Sequence, residues 1–230
     1  MVVFTPYDWQ EGIGNRAQYI EAKLAQGSPV LAVSLDEGIV VFTFRRQARK
    51  IFEIYDRIVY AGVGQQSDVE AIRMAALEFA SKEAFNRSEE DVNIQRVVVA
   101  MSAPLKTAFS DFSAAPVVAR SLFAEVGNVP AEDLYYVLDY DGDYSTSRMQ
   151  SVASGKREAS SEVNDTLTRI AKMSIDEAFE ALKALWIKVV DPEGEDHSGE
   201  LLNGLVPEAI LLERSNLRDN RFRMLTPEEA

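Results

Sequence analysis

Four β-type segments follow one another between residues 29 and 63, with connections too short to hold a helix. They span residues 29–35, 38–44, 50–55 and 58–63. The first two are joined by Asp36-Glu37-Gly38, a hairpin turn of the kind that places glycine at positive φ. Strands joined by tight turns run antiparallel, because a parallel crossover needs a dozen or more residues. The chain therefore does not show the strict strand–helix alternation of a Rossmann fold.

Helices come in pairs between the sets of strands. Apolar residues at three- and four-residue spacing predict helices over residues 8–26, 66–86, 90–111, 156–172 and 174–189. Further strands are expected over 117–126, 133–139, near 144–153, and near 205–213 and 220–225. Gly12 and Gly14 weaken the start of the leading helix, so we expect it to begin properly near Asn15, a good N-cap residue.

This order of elements predicts the fold class. Hairpin-linked strands separated by paired helices indicate an α/β (α+β) chain with two antiparallel sheets packed face to face. A helix layer is expected outside each sheet, which makes four layers. We expect one domain over residues 1–230, with a leading helix over 8–26 and an acidic tail over 226–230.

Charge limits the partners that this chain can have. Its formal net charge is −13, so nucleic-acid phosphates and anionic membranes are expected to repel it. It has no cysteine, which excludes disulfides and thiolate chemistry. Its one histidine, His197, lies in a polar loop and is not favoured as part of a catalytic triad. The N-terminus lacks the pattern of a signal peptide, so we expect a cytoplasmic protein. We also expect that it needs neither metal nor cofactor.

Two short motifs resemble ligand sites but fit structural roles better. Gly62-Val63-Gly64 precedes a helix, yet Ser67 stands where a dinucleotide fingerprint needs its third glycine. The DYDGDY segment is acidic, but Gln150 stands where a calcium loop needs a bidentate glutamate. We therefore expect a tight strand-to-helix turn at the first motif and an acidic hairpin turn at the second.

Ser28 and Lys50 are the candidate functional residues. Ser28 follows Gly27 at the start of a strand, which is where N-terminal-nucleophile hydrolases carry their serine or threonine. Lys50 begins a strand after a basic stretch, where a lysine can lower the pKa of a nucleophile or pair with a carboxylate. The alternative for Lys50 is a solvated charge at a strand end.

Three stretches identify a family resemblance: AKLAQGSPVLAV, SLDEGIVVF and, above all, KIFEIYDRIVYAGVGQQSDVEAIRMAALEFA. Together they resemble the α-type subunits of the 20S proteasome, in the bacterial (actinobacterial-type) branch. AFSDFSAAP and LLERSNLRDNRFRMLT extend the resemblance, which is most specific over residues 16–112. It implies the four-layer αββα sandwich of the N-terminal-nucleophile hydrolases.

The resemblance implies that Ser28 is the relic of a nucleophile. It falls where catalytic β-type subunits carry their threonine, and Lys50 falls on their lysine position. Their acidic position falls on Phe44, so no carboxylate is expected at that position to hold the lysine. Ser28 also follows 27 residues that resemble a leading helix, and Pro29 offers no donor. The alternative is a self-processing hydrolase that cleaves between Gly27 and Ser28.

The resemblance also implies the sites of a ring-forming, non-catalytic subunit. Gly27, Lys50, Gly64 and Gln65 would line a pocket for the C-terminal carboxylate of an activator. Residues 1–7 would form a gating tail. The loop at the pore entrance would consist of Ser110, Asp111, Phe112, Ser113, Ala114 and Ala115.

The implied partners follow from the same resemblance. They are copies of the chain in a ring, expected to be a heptamer, a β-type peptidase subunit, and an ATPase or other ring activator. The process would be ubiquitin-independent or pupylation-type proteolysis. A stand-alone ring scaffold without a β partner is the other alternative.

Overall fold

A computed structural model describes residues 5–156, 159–194, 200–215 and 220–225 of the chain. Within these residues the helices are α1 (Pro6–Leu24), α2 (Gln66–Asn86), α3 (Ile94–Ser110), α4 (Ser161–Ile170) and α5 (Ile175–Val190). The strands are β1 (Val30–Ser34), β2 (Gly38–Arg45), β3 (Ile51–Tyr55), β4 (Ile58–Gly64), β5 (Ala119–Glu125), β6 (Leu134–Leu138), β7 (Tyr144–Ser147), β8 (Gln150–Ala153), β9 (Val206–Glu213) and β10 (Phe222–Leu225).

The strands form two five-stranded sheets in which all the paired strands are antiparallel. The order in the first sheet is β10-β9-β2-β1-β8, and the order in the second is β3-β4-β5-β6-β7. The second sheet is a meander because its strands follow one another along the chain. The first sheet is assembled from both ends of the sequence, since β2 lies between β1 and β9.

Three hydrophobic clusters separate the four layers. One lies between the sheets, where side chains such as Val41 from β2 meet others such as Leu122 from β5. A second lies between the second sheet and helices α2 and α3, and a third between the first sheet and helices α4 and α5. Strands buried on both faces explain why β1 and β4 have almost continuous apolar sequences. The predicted αββα sandwich is confirmed.

The leading helix begins at Pro6, so the expected start near Asn15 is wrong. Thr5 and Asp8 form a capping box in which each side chain accepts a hydrogen bond from the other's backbone N–H. Gly12 lies in the helix because its missing side chain makes room for the Phe112 ring, 3.1 Å from where a Cβ would stand. Packing therefore offsets the weak helix propensity of this glycine.

Part of the predicted gating tail belongs to α1. Thr5 is its N-cap, and the next two residues of the chain form the start of the helix. Residues 1–4, the acidic tail 226–230 and His197 lie outside the described residues.

A buried arginine ties α1 to the end of the sandwich. Arg120, on β5, is almost completely buried. Its Nη2 lies 3.0 Å from Asp139 Oδ2 and 3.2 Å from Glu21 Oε1 on α1, and its Nη1 donates to the Ser154 carbonyl at 2.6 Å. Tyr140 donates its hydroxyl proton to Glu21 as well. One cation thus links the leading helix to three other parts of the chain.

Some helices and strands have different bounds in the structure from those that the sequence predicts. The region 144–153 contains two strands that belong to different sheets, with Met149 at a φ of 69° between them. The helix predicted to start at residue 90 begins at Ile94, after Asn93 accepts a hydrogen bond from Arg96 N. Met74, one of the apolar residues of α2, is 49% exposed.

The two short motifs have structural roles in the fold. The glycines at 62 and 64 lie in β4, which is antiparallel to both of its neighbours. In the DYDGDY segment, Asp139 pairs with Arg120 and Asp141 accepts a hydrogen bond from Asp143 N in the turn. Both segments are turns or strands of the sandwich, as their sequences indicate.

Candidate functional site

A groove with a volume of about 790 Å³ opens where β1 begins and β2 ends. The segment before β1, the basic turn between β2 and β3, and the segments after β8 and α5 form its walls. Its floor is apolar, with the side chains of Trp186, Val189 and Leu205. Short connections at this end of the sheets leave the space open.

The structure brings together three of the four residues predicted for the pocket. Gly27, Lys50 and Gly64 line the groove beside Ser28, whereas Gln65 does not. Gln65 is the N-cap of α2, and its backbone N–H donates to Val118 O at 2.8 Å. The next residue, Gln66, lines the groove in its place.

The two glycines let backbone approach backbone at this site. A Cβ on Gly27 would lie 2.4 Å from Val63 Cγ1, and one on Gly64 would lie 2.1 Å from Val118 O. Gly64 also has a φ of 135°, which side chains of L-residues rarely allow. A side chain at Gly27 would push the segment before β1 away from β4, and one at Gly64 would clash with the backbone at the start of β5. Either change would alter the shape of the groove.

Ser28 lacks the surroundings of a nucleophile. Its hydroxyl donates to the Phe44 carbonyl and lies 3.2 Å from Thr43 Oγ1. Thr43 in turn donates to the Pro29 carbonyl at 2.7 Å, so it is not a base for Ser28. The Ser28 nitrogen is bonded to Gly27 within the chain and is not a free amine. Within the described part of the chain, the hydrogen-bond partners of the Ser28 hydroxyl are a carbonyl and another hydroxyl, and neither is a general base.

Lys50 points its ammonium group at the backbone of Ser28 and not at the hydroxyl. Its Nζ lies 2.5 Å from Ser28 O. Burial lowers the pKa of Lys50 to about 8, and the negative charge of Glu208 opposes that shift. An ammonium has three N–H donors, so one bond to Ser28 leaves two for a ligand.

Glu208 is a residue of this site that the sequence did not predict. The family's acidic position is indeed apolar: Phe44 is buried, with its ring centroid 4.6 Å from that of Trp186. A carboxylate from another strand nevertheless lies beside the backbone of Lys50. Glu208 Oε2 accepts a hydrogen bond from the Lys50 backbone N–H at 2.9 Å. The available signal was a glutamate in the otherwise apolar strand VPEAILLE, which the register places opposite Thr43.

The groove is cationic in an otherwise acidic protein. Among the described residues that line it, Arg45, Arg46, Lys50 and Lys156 are cations, and none is acidic. The apolar floor excludes water from one side of these charges and strengthens their attraction for an anion. The arrangement suits a ligand that carries a carboxylate next to an apolar side chain.

The predicted pore loop packs against the leading helix. Ser110 is the last residue of α3, and Asp111 accepts hydrogen bonds from the N–H and the hydroxyl of Ser113. Phe112 meets Trp9 edge to face, with ring centroids 5.0 Å apart. Arg16 donates from Nη2 to the carbonyls of Ala108 and Ala114, at 2.9 and 3.1 Å. The loop is therefore held by α1, and its one large side chain is half-covered.

The described part of the chain contains no group of three or more histidine, aspartate or glutamate residues arranged to hold a metal ion. In the same residues, no helix combines the length and the apolar character that crossing a bilayer requires.

Comparisons with known proteins agree with this geometry. Residues 24–191 match the model of the proteasome subunit family. A proteasome subunit alpha of Jonesia denitrificans is 30% identical over 220 residues, which cover 93% of this chain and 89% of that protein. The proteasome subunit alpha of Frankia casuarinae is 28% identical over 95% of this chain and 91% of its own length. That of Actinosynnema mirum is 28% identical over 92% and 80%.

Proposed function

This chain belongs to the proteasome subunit family as a non-catalytic α-type subunit, and from that premise we propose that its groove docks the C-terminal tail of a ring activator. The subunit would form a ring, cap a β-type peptidase ring and control the passage of unfolded chains. The observation that carries this proposal is the half-buried Lys50 ammonium in a cationic groove.

The chemistry of the groove supports a terminal carboxylate as ligand. A lysine ammonium is a compact point charge that matches one carboxylate, and backbone near Gly27 and Gly64 can approach an extended chain closely. The apolar floor beside it would accept a side chain near the end of the tail. An internal peptide segment has no carboxylate at its backbone and would be rejected.

Exposed apolar surface supports assembly with other subunits. On α2, Phe85 is 90% exposed and Met74 is 49% exposed. They border a surface depression of about 720 Å³ that Leu77 also lines. Contiguous apolar surface of this kind marks protein contacts. In a ring assembly such a face would be covered by another subunit.

The pore loop, the location in the cytoplasm and the pupylation-type or other ubiquitin-independent route belong to the same proposal. The proposed role of this loop at the pore entrance is supported by its position at the end of α3, where Arg16 and Phe112 hold it against α1. The stand-alone scaffold remains the second candidate, and it differs in lacking a β-type partner.

Lys50→Met tests the docking proposal directly. We expect the full-length chain to bind a fluorescent peptide that ends in a leucine-containing tail with a free carboxylate. The variant should lose about 10- to 100-fold in affinity, which is the range for one charge-assisted hydrogen bond. Fluorescence anisotropy measures this loss, with thermal unfolding as the check on folding.

Two controls make this measurement specific. The same peptide with an amidated C-terminus should bind the wild-type chain as weakly as the free peptide binds Lys50→Met. Lys82→Met removes an exposed lysine from α2, outside the groove, and should leave the affinity unchanged. Equal binding of the amidated and free peptides would contradict the proposal.

A further inference from the structure

A fully buried carboxylate lies under the turn that carries Lys50. The Glu208 side chain, on β9, has no exposed surface. Its Oε2 accepts the Lys50 backbone N–H at 2.9 Å, and its Oε1 accepts from Arg49 Nε at 3.4 Å. Arg45 Nε lies 3.6 Å from Oε2. One side chain therefore contacts three of the six residues between 45 and 50.

Burying this carboxylate is tolerated because cations surround it. An isolated buried carboxylate costs several kcal/mol, and the two arginines supply the compensating charge. The turn carries Arg45, Arg46, Arg49 and Lys50, four positive charges against one negative charge. A net positive charge thus remains at the mouth of the groove for an anionic ligand.

The charged residues that line the groove with Lys50, or that contact its turn, come from three parts of the chain. The basic turn contributes Arg45, Arg46 and Arg49, the segment after β8 contributes Lys156, and β9 contributes Glu208. Ser28, on the remaining side, is neutral. Among these described residues Glu208 alone is negative. Like charges around a half-buried lysine favour its neutral form, and an adjacent carboxylate favours its charged form.

We propose that Glu208 is the positioning residue of the groove: it fixes the backbone of Lys50 and supplies the counter-charge that keeps the ammonium protonated for a carboxylate ligand. The role in ligand binding rests on the proposed docking function. The effect of Glu208 on the lysine itself can be measured without any ligand.

Glu208→Gln separates charge from geometry. The glutamine keeps an oxygen that can accept the Lys50 N–H, but it carries no charge. Acetic anhydride reacts only with the neutral amine, so the pH profile of Lys50 acetylation reports the loss of its proton. Peptide mass spectrometry of the full-length chain measures that profile. We expect its midpoint to move to lower pH in Glu208→Gln, because the attraction that Glu208 exerts on the ammonium is gone.

Arg49→Gln is the matched variant with the opposite sign. Its side chain is 46% exposed, so the substitution should not disturb folding even if Glu208→Gln does. Removing this positive charge leaves Glu208 to act more fully on Lys50, and the midpoint should move to higher pH. The inference would be overturned if the Lys50 acetylation midpoint were unchanged in the variants that fold. A purely structural role of Glu208 would not shift the midpoints of the two variants in opposite directions.

The peptide with a free carboxylate separates this inference from the docking proposal. If it binds, the pH above which Glu208→Gln loses it should be lower than for the wild-type chain. Opposite shifts of the acetylation midpoints without any peptide binding would uphold Glu208 and reject docking. Peptide binding with midpoints that do not move would uphold docking and reject Glu208.

Discussion

Lys50 combines features that one lysine seldom has together. It is half-buried, it donates to a backbone carbonyl at 2.5 Å, and the other charged residues that line its groove are cations. Burial makes the charge costly, so the pKa of Lys50 falls to about 8. The charge that Lys50 contributes to the groove is therefore lost as the pH rises through about 8.

Tail binding should weaken as the pH rises through about 8, because Lys50 loses its proton there. Below that pH the ammonium pairs with the carboxylate, and above it the neutral amine can only form a weaker hydrogen bond. Anisotropy titrations of the free-carboxylate peptide at successive pH values measure the change.

The control is Lys50→Arg, whose guanidinium stays protonated over this range. Any binding that this variant retains should not depend on pH near 8. If the wild-type affinity stayed constant well above that pH, the lysine would not be the ligand of the carboxylate.

At the scale of elements, α1 and the loop after α3 form one unit. Arg16 connects the carbonyls of Ala108 and Ala114, Phe112 packs on Trp9, and Gly12 leaves room for the ring. The Arg16 guanidinium also lies over the Phe112 ring, 5.5 Å from its centroid. The conformation of the loop therefore depends on the position of the leading helix.

Arg16→Ala should loosen this loop. Two hydrogen bonds from a charged donor are lost, which costs about 1–3 kcal/mol of unfolding free energy in total. Hydrogen exchange followed by mass spectrometry should show faster exchange over residues 110–115 than in the wild-type chain. Lys23→Ala, an exposed position on the same helix, should leave that exchange unchanged. Equal protection of the loop in Arg16→Ala and the wild-type chain would show that α1 does not hold it.

Local sequence patterns predicted most elements but not the contacts between distant ones. The helix predicted over 66–86 has those bounds in the structure, because its apolar periodicity and the short loop before it are local signals. The start of α1 was placed too late because the partner of Gly12 lies 100 residues away. Glu208 was missed for the same reason, since strand register brings it to Lys50 across 158 residues of sequence.

The sequence also predicted only part of the candidate site. Gly27, Lys50 and Gly64 meet in one groove, and the binding of an activator tail there stays a prediction. Gln65, the N-cap of α2, does not line it.

At the scale of the whole molecule, the proposed ring predicts the mass of the assembly. We expect native mass spectrometry of the full-length chain, mixed with a β-type subunit, to show rings of seven copies with no loss of the first 27 residues. The exposed apolar face on α2 would be covered in that assembly.

Two other results of this measurement would support the alternative functions. Rings that form without ever binding a β-type subunit would favour the stand-alone scaffold. A chain that begins at Ser28 would mean self-cleavage and would contradict the proposed function.

The strand order of the two sheets has a consequence for the newly synthesised chain. The second sheet uses five consecutive strands between residues 51 and 147, so it can form while the rest of the chain is still being translated. The first sheet stays incomplete until β9 leaves the ribosome, because until then β2 has no partner on the side opposite β1. Such non-local pairing slows folding and exposes unpaired strand edges. Folding is therefore expected to finish after translation, with β9 as the last interior strand to join the first sheet.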